Sequence, residues 1–379
     1  FLTADNSGYT SASGRYIVEK SHVTLPSSEA AVKKWHNVEV VVNNATDGTM
    51  LYWAGNDVSS GVHGFYVDNI EVRALGEMGR GSDNLRVLYW NIQNGMWSGQ
   101  GDNYTRFVNW VSAQNPDVCV WCESVTNYKT ASDEKIKPEE AYLPEHWGEL
   151  ARRYGHEYWY KGGHRDNFPQ VITSKYPIEN VARLIGAVPD SIVSHGAGWA
   201  QIRKNGHTVN IVSLHTWPQV YGFGLADKLE RKASAAAREG DRFRRMEIEY
   251  VCNHTIGSVA GAEKQLWMMM GDFNSKSRVD NYEYGFPEDT TAFLVHDYIC
   301  QHTPYVDVIA AKYPGEFQTT TGRRFRIDYV YCTRPLYDRI VSARVVSDEY
   351  TTPVRDPQEL RNFWHPSDHR PIIIDFDMR

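Results

Sequence analysis

Leu266-Trp267-Met268-Met269-Met270-Gly271-Asp272-Phe273-Asn274 places five apolar residues directly before a glycine, an aspartate and, two positions further, an asparagine. An apolar run of this length, bounded by a glycine, reads as a buried strand with Asp272 and Asn274 just past its end. The same grammar recurs along the chain. Asn91 follows Leu85-Arg86-Val87-Leu88-Tyr89-Trp90, Glu123 follows Val118-Cys119-Val120-Trp121-Cys122, and His215 follows the apolar run 209–214. Asp328 sits inside Arg326-Ile327-Asp328-Tyr329-Val330-Tyr331, and Ser367-Asp368-His369 precedes Pro371-Ile372-Ile373-Ile374. If those last two strands run opposite to the others, their beginnings reach the same edge. One carboxylate near a strand end is commonly a cap or an ion-pair partner, one histidine a core residue, one asparagine a turn former. Six such groups, made of carboxylates, amides and imidazoles, predict one convergent site.

Outward from these strands, the chain from Leu85 on alternates β with α. Phe107, Trp110 and Val111 share helical spacing within 103–114, and Asn115-Pro116-Asp117 ends that helix. Further helices are expected over 139–154, closed by Gly155, and over 227–253, a long charged segment with Gly240 as its weak point. Residues 170–174 read as another strand. Asn205-Gly206 between the runs 199–204 and 207–214 is a two-residue hairpin signal, so those strands are antiparallel. Hairpins mixed with βα units imply mixed sheets with helices on their outer faces.

Residues 1–75 carry only β signals, separated by polar turns such as 43–48, and the Gly-rich stretch 76–84 reads as a linker. The expected fold class is therefore α/β, preceded by a small all-β sandwich-like module. Its domains are a β-sandwich-like module over 1–80 and a catalytic domain over 81–379. The module resembles part of a lectin-like jelly roll, carried by Trp35-His36-Asn37-Val38-Glu39-Val40 and Phe65-Tyr66-Val67-Asp68-Asn69-Ile70-Glu71-Val72. That resemblance implies a glycan partner; a packing module or a partial domain is the competing reading.

Composition closes off several classes. With 379 residues, 41% hydrophobic and 23% charged, the chain is no disordered tail, collagen or coiled coil. No apolar run approaches the roughly 20 residues that span a bilayer, so no membrane span is expected. A net charge of −7, from 40 Lys plus Arg against 47 Asp plus Glu, argues against a wrapping, sequence-independent DNA binder. Five cysteines form neither a disulfide framework nor a zinc set. Cys119 and Cys122 lie three apart in a strand and so face opposite sides, as buried thiols. The sequence opens on Phe1, not Met. With the lectin-like segment, this gives the expectation of a secreted or periplasmic protein.

Glu123, Asp272, Asp328 and Asp368 offer hard oxygen ligands without the His or Cys count of a zinc cage, which suits Mg²⁺, with Mn²⁺ or Ca²⁺ as alternatives. Clustered carboxylates alone would repel a phosphate, so a divalent cation must reverse the local sign. Metal-assisted phosphoester hydrolysis follows. No P-loop, HExxH, nucleophile elbow or dinucleotide fingerprint competes with it.

In order and spacing, Trp90-Asn91-Ile92, Cys122-Glu123, Ser213-Leu214-His215, Gly271-Asp272-Phe273-Asn274, Arg326-Ile327-Asp328-Tyr329-Val330 and Ser367-Asp368-His369-Arg370-Pro371 resemble the endonuclease/exonuclease/phosphatase superfamily over most of 85–378. The resemblance implies a four-layer α/β/β/α sandwich of two mixed sheets and a phosphodiesterase or nuclease-like hydrolase that uses in-line attack of water. It implies that Asn91 and Glu123 bind the metal, with Asp368 beside it or a second ion. His369 would contact the scissile phosphate or act as general acid or base, held by Asp328; Asp272 would deprotonate the water that Asn274 helps hold; His215 would stabilise phosphoryl charge. A histidine at 215 matches the deoxyribonuclease and sphingomyelinase branches, where the apurinic endonuclease branch has tyrosine. Substrate-facing groups are expected at Arg165 and Asn167, and Trp217, with Trp97 and Trp364, would wall the pocket. Arg323, Arg324 and Arg326 form a small basic cluster. The alternatives are a phosphomonoesterase acting on inositol or sugar phosphates and a glycan-binding protein with a vestigial catalytic domain.

Overall fold

The computed structural model describes residues 83–129, 134–164, 167–186, 193–355 and 363–379. The β-sandwich-like module expected over 1–80 lies outside the described residues, and so does Arg165. Twelve described strands form two six-stranded sheets. They are β1 Asn84–Asn91, β2 Val118–Cys122, β3 Tyr158–Gly162, β4 Gln170–Ser174, β5 Glu179–Leu184, β6 Ala197–Lys204, β7 His207–His215, β8 Leu266–Asp272, β9 Tyr305–Asp307, β10 Asp328–Thr333, β11 Ile340–Val345 and β12 Ile372–Asp377. The first sheet runs β11-β12-β1-β2-β4-β3 and the second β5-β6-β7-β8-β10-β9. Only β1 with β2 and β7 with β8 pair in parallel; the remaining pairs are antiparallel, so both sheets are mixed.

Strand alternation explains why the central runs are apolar on both faces. Leu85, Val87 and Tyr89 join Val118, Val120 and Cys122, and Leu266, Met268 and Met270 from the other sheet, in one core between the sheets. The alternate residues Leu88, Trp90, Cys119 and Trp121 pack outward on Phe107, Trp110 and Val111 of the helix Thr105–Gln114 and on Trp147 and Leu150 of the helix Trp147–Arg153. On the second sheet Trp267, Met269, Tyr329 and Tyr331 cover Ile248, Val251 and Cys252 of Glu239–Asn253 and Val295 and Ile299 of Leu294–His302. Helices therefore cover the outer faces of two facing sheets. Cys119 and Cys122 fall into different cores, as strand parity requires, and all five cysteines are free.

Local chemistry decides where sequence expectations shift. The helix expected over 139–154 is a 3₁₀ turn at Pro138–Glu140 and an α-helix only from Trp147, because Pro144 lacks an amide hydrogen and disfavours helix at Leu143. The long helix over 227–253 is two helices, Lys228–Ala236 and Glu239–Asn253, with Arg238 between them at φ 52°. Gly240 serves a contact instead of a break: a Cβ there would lie 2.1 Å from the Gln219 carbonyl oxygen. The turn Asn205-Gly206 has φ of 50° and 80°, the left-handed pair that a tight hairpin needs, and it closes β6 on β7 at Lys204 opposite His207. The strand expected over 325–332 starts at Asp328. Arg326, only 1% exposed, turns aside to donate to Asp280 at 2.7 Å and to both oxygens of Asp307 at 2.8 and 2.9 Å, so it leaves the basic cluster and acts as an internal strut.

Gly271 is fixed by space. It lies opposite Leu214 in the parallel β7–β8 pair, and a Cβ would sit 2.1 Å from the Leu214 carbonyl oxygen. Gly271→Ala is expected to lower unfolding free energy by about 1–3 kcal/mol, read from the urea midpoint, and an unchanged midpoint would show that the strands separate freely there.

Candidate active site

The inner-face parity that builds the core carries straight on into the site. Met268 and Met270 face the other sheet, and the next residue of that parity is Asp272; Val87 and Tyr89 lead to Asn91, and Val209 and Ile211 lead to His215. Register then sets them side by side. His215 lies opposite Asp272 across the parallel β7–β8 pair, and Asp328, first residue of β10, lies opposite Asp272 on its other side. β10 and β12 are antiparallel to β8 and β1, so their beginnings reach the same end. Glu123 leaves the strand parity at φ 56°, a left-handed turn that brings its backbone carbonyl to Gly95 N at 2.7 Å.

Side-chain hydrogen bonds tie the sheets together at this end. Asn91 Nδ2 donates to Asp272 Oδ2 at 3.0 Å, and the Tyr89 hydroxyl donates to Asp328 Oδ1 at 2.7 Å. Asn91 Nδ2 also lies 3.3 Å from Glu123 Oε1, while the Asn94 amide donates to Glu123 Oε2 at 2.9 Å. His369 Nδ1 bonds Asp328 Oδ2 at 2.7 Å. Asp272 Oδ2 is the focus: the Nε2 atoms of both His215 and His369 stand 3.7 Å from it. Asn274 N donates to Asp272 Oδ1 at 2.9 Å, while the Asn274 amide group donates to the Thr216 carbonyl at 3.1 Å. Asp368, with a side chain 36% exposed, lies at the rim 3.6 Å from His369 Nε2.

Glu123, His215 and Asp272 bring one ligand atom each within 4.8 Å of one another, and so do Asp272, Asp328 and His369. These donors are oxygens and imidazole nitrogens, consistent with a divalent ion. The charges favour one as well. Among the described residues no lysine or arginine forms an ion pair with Glu123, Asp272, Asp328 or Asp368. Burial, with repulsion from Asp328 and Glu123, outweighs the pull of His369 and pushes the Asp272 carboxyl up to about 8. Partial burial and the Asp368 carboxylate likewise raise Glu123. Burial works against protonated His369, but Asp328, Asp368 and Asp272 together hold its pKa well above the usual imidazole value. His215 goes the other way: burial, then His195 and His369, press it down to the neutral form. One site thus holds two histidines in opposite protonation states.

Of the other residues singled out by sequence, Asn167 spends its amide on the Ser194 carbonyl at 2.8 Å, and Trp217 stands beside the site with its indole NH on the Tyr221 carbonyl at 2.6 Å. Trp97 is buried and donates to the Trp364 carbonyl at 2.7 Å. Sequence reasoning missed His195 and Glu247. The His195 ring stacks on His215 with centroids 4.3 Å apart and planes inclined 26°. Burial, aided by His164, holds it to about 4, so it is neutral at physiological pH. Glu247, 1% exposed, accepts Ser194 N and Oγ at 2.6 and 2.7 Å and Trp217 N at 2.8 Å, clamping the loops that carry both histidines. Nothing periodic flags Ser194-His195-Gly196, and Glu247 looks like one more charge on a polar helix.

A model of the endonuclease/exonuclease/phosphatase family matches residues 88–369. Among curated proteins none matches the chain. Among solved structures, the chain is similar to an AP endonuclease from Archaeoglobus fulgidus, at 16% identity and a TM-score of 0.51, over 77% of this chain and 99% of that one. It is also similar to an endonuclease/exonuclease/phosphatase from Beutenbergia cavernae, at 16% identity and a TM-score of 0.51, over 78% of this chain and 71% of that one. At such identities the likeness is one of fold. No helix of the described residues is long and apolar enough to cross a membrane.

Proposed function

We propose, from the premise that this chain belongs to the endonuclease/exonuclease/phosphatase family, that it is a divalent-metal-dependent phosphodiesterase that attacks its substrate in line with water. The observation that carries the reading is the convergence on Asp272: a carboxylate with raised pKa, held by Asn91 and Asn274 N, faces a neutral and a protonated imidazole at equal 3.7 Å distances. Glu123 would hold the cation, joined by Asn91 once its amide turns Oδ1, now accepting from Gln93 N at 3.1 Å, inward in place of Nδ2, with Asp368 at the rim. Bound there, a divalent cation polarises a phosphoryl oxygen and offsets carboxylate repulsion of the phosphate.

The protein's own groups supply the rest. A carboxylate whose pKa is lifted toward neutrality is a stronger base than an exposed one, so Asp272 takes a proton from the attacking water. Protonated His369 donates from Nε2 to charge growing on the phosphoryl oxygens, while Asp328 fixes its ring through Nδ1. His215, neutral and buried, donates its one ring N–H to the same oxygens without adding charge in the ground state. Asn274 closes the water position from the strand end.

Turnover of bis-p-nitrophenyl phosphate with and without Mg²⁺ or Mn²⁺, beside DNA, RNA, p-nitrophenyl phosphate, inositol phosphates and sphingomyelin, tests the reading. Excess chelator is expected to lower diester turnover by about 100-fold or more, with recovery on adding metal. Full activity in chelator would end the metal hypothesis, and turnover of monoesters alone would end the diesterase one.

A further inference from the structure

His195 is only 4% exposed, and its Nε2 has no hydrogen-bond partner. Its Nδ1 lies 3.1 Å from the Asn167 backbone carbonyl oxygen, an atom that only accepts. Nδ1 must therefore carry the ring proton, which leaves Nε2 as a bare lone pair. A buried acceptor left unmade is costly, and one packed against an active-site histidine calls for a partner. The ring is also held in place. Ser194, its chain neighbour, is gripped twice by Glu247, the same carboxylate grips Trp217, and His195 lies face to face with His215, which in turn reaches Asp272.

Fixing the tautomer restricts what this nitrogen receives. A phosphoryl oxygen carries no proton to give and is repelled; a hydroxyl group is a donor of the right kind. We propose that His195 Nε2 is a subsite for a hydroxyl of the substrate close to the scissile phosphate, so that the enzyme prefers phosphodiesters of hydroxyl-bearing alcohols over their deoxy counterparts. This rests on the phosphodiesterase reading above. A site built to accept from a hydroxyl discriminates against an analogue lacking it because the acceptor is then buried without a partner, whereas an apolar pocket discriminates poorly.

Two matched pairs separate the sources of that hydroxyl: one oligonucleotide sequence made as RNA and as DNA, and a glycerol phosphodiester against the corresponding propyl phosphodiester. Wild-type protein is expected to favour the hydroxyl-bearing member of one pair by about tenfold or more in kcat/KM. His195→Phe keeps a ring against His215 but removes the lone pair, and the ratio is expected to fall toward one. Loss of His215 geometry would instead lower both members of a pair equally and preserve the ratio, which would overturn the proposal. Ratios near one in both pairs for wild-type protein would overturn it without any variant. Bis-p-nitrophenyl phosphate, which has no such hydroxyl, keeps the two readings apart: no metal-dependent turnover of it defeats the phosphodiesterase reading, while turnover with ratios near one defeats only the hydroxyl subsite.

Discussion

Asp272→Asn is expected to lower kcat on the best diester by about 10³-fold while leaving the fold intact. The amide keeps an oxygen to accept from Asn274 N, now 2.9 Å from Asp272 Oδ1, and turns its NH₂ to Asn91, whose own amide must flip to accept it, but it has no proton affinity with which to activate water. Stability separates this from a folding defect. Burial and the neighbouring carboxylates raise the Asp272 pKa in the folded state, so the stability this group contributes is full below its unfolded value and is lost as pH rises through about 8. The asparagine variant does not titrate. In chelator above pH 8 it should therefore melt no lower than wild type, and its relative advantage should shrink as pH falls toward the unfolded carboxylate range of about 4. Activity within tenfold of wild type would remove Asp272 as the base. A melting point well below wild type in chelator would instead place its importance in packing.

What sequence could deliver here was whatever strand parity controls. Asn91, His215 and Asp272 stand at the ends of runs whose inner-face residues are core, Ser213 before His215 excepted, so the change from apolar to polar on one face was visible from spacing. Asp328 depended on strand direction, and its pairing opposite Asp272 shows that β10 does run antiparallel. Short or exposed strands carried no such signal: β5, with four of its six residues exposed, and the three-residue β9 lack an apolar run. Tertiary partners were invisible for a different reason. Arg326 among Arg323 and Arg324 looks like solvated charge until Asp280 and Asp307 are brought to it from 46 and 19 residues away. Glu247 acquires its role only when two loops, 53 and 30 residues distant, present amides to it. Chemistry written at a strand end is local; chemistry assembled by a clamp is not.

Asp328→Asn addresses the other half of the site, the protonation of His369. The carboxylate accepts from two donors at once, the Tyr89 hydroxyl at one oxygen and His369 Nδ1 at the other, both at 2.7 Å. An asparagine has one acceptor and one donor end; the Tyr89 hydroxyl can donate to the oxygen or accept from the NH₂, so two orientations compete, and in one of them His369 Nδ1 faces an NH₂. His369 loses the principal carboxylate that holds its pKa up against burial. The alkaline limb of the pH–rate profile should move down toward or below neutrality, with kcat/KM at pH 7.5 falling by about 10²-fold. The stability sign follows from the raised pKa: this histidine's contribution is fully present below its unfolded value near 6.5 and is lost as pH rises through its higher folded one. The variant's deficit in Tm should therefore be largest near pH 6 and narrow at alkaline pH. Tyr89→Phe added to Asp328→Asn divides orientation from charge. Removing the hydroxyl frees the asparagine oxygen for His369 Nδ1, so the double variant should recover part of kcat while its pH limb stays displaced. Recovery of the limb as well would mean that ring orientation alone, and not the Asp328 charge, sets the titration of His369.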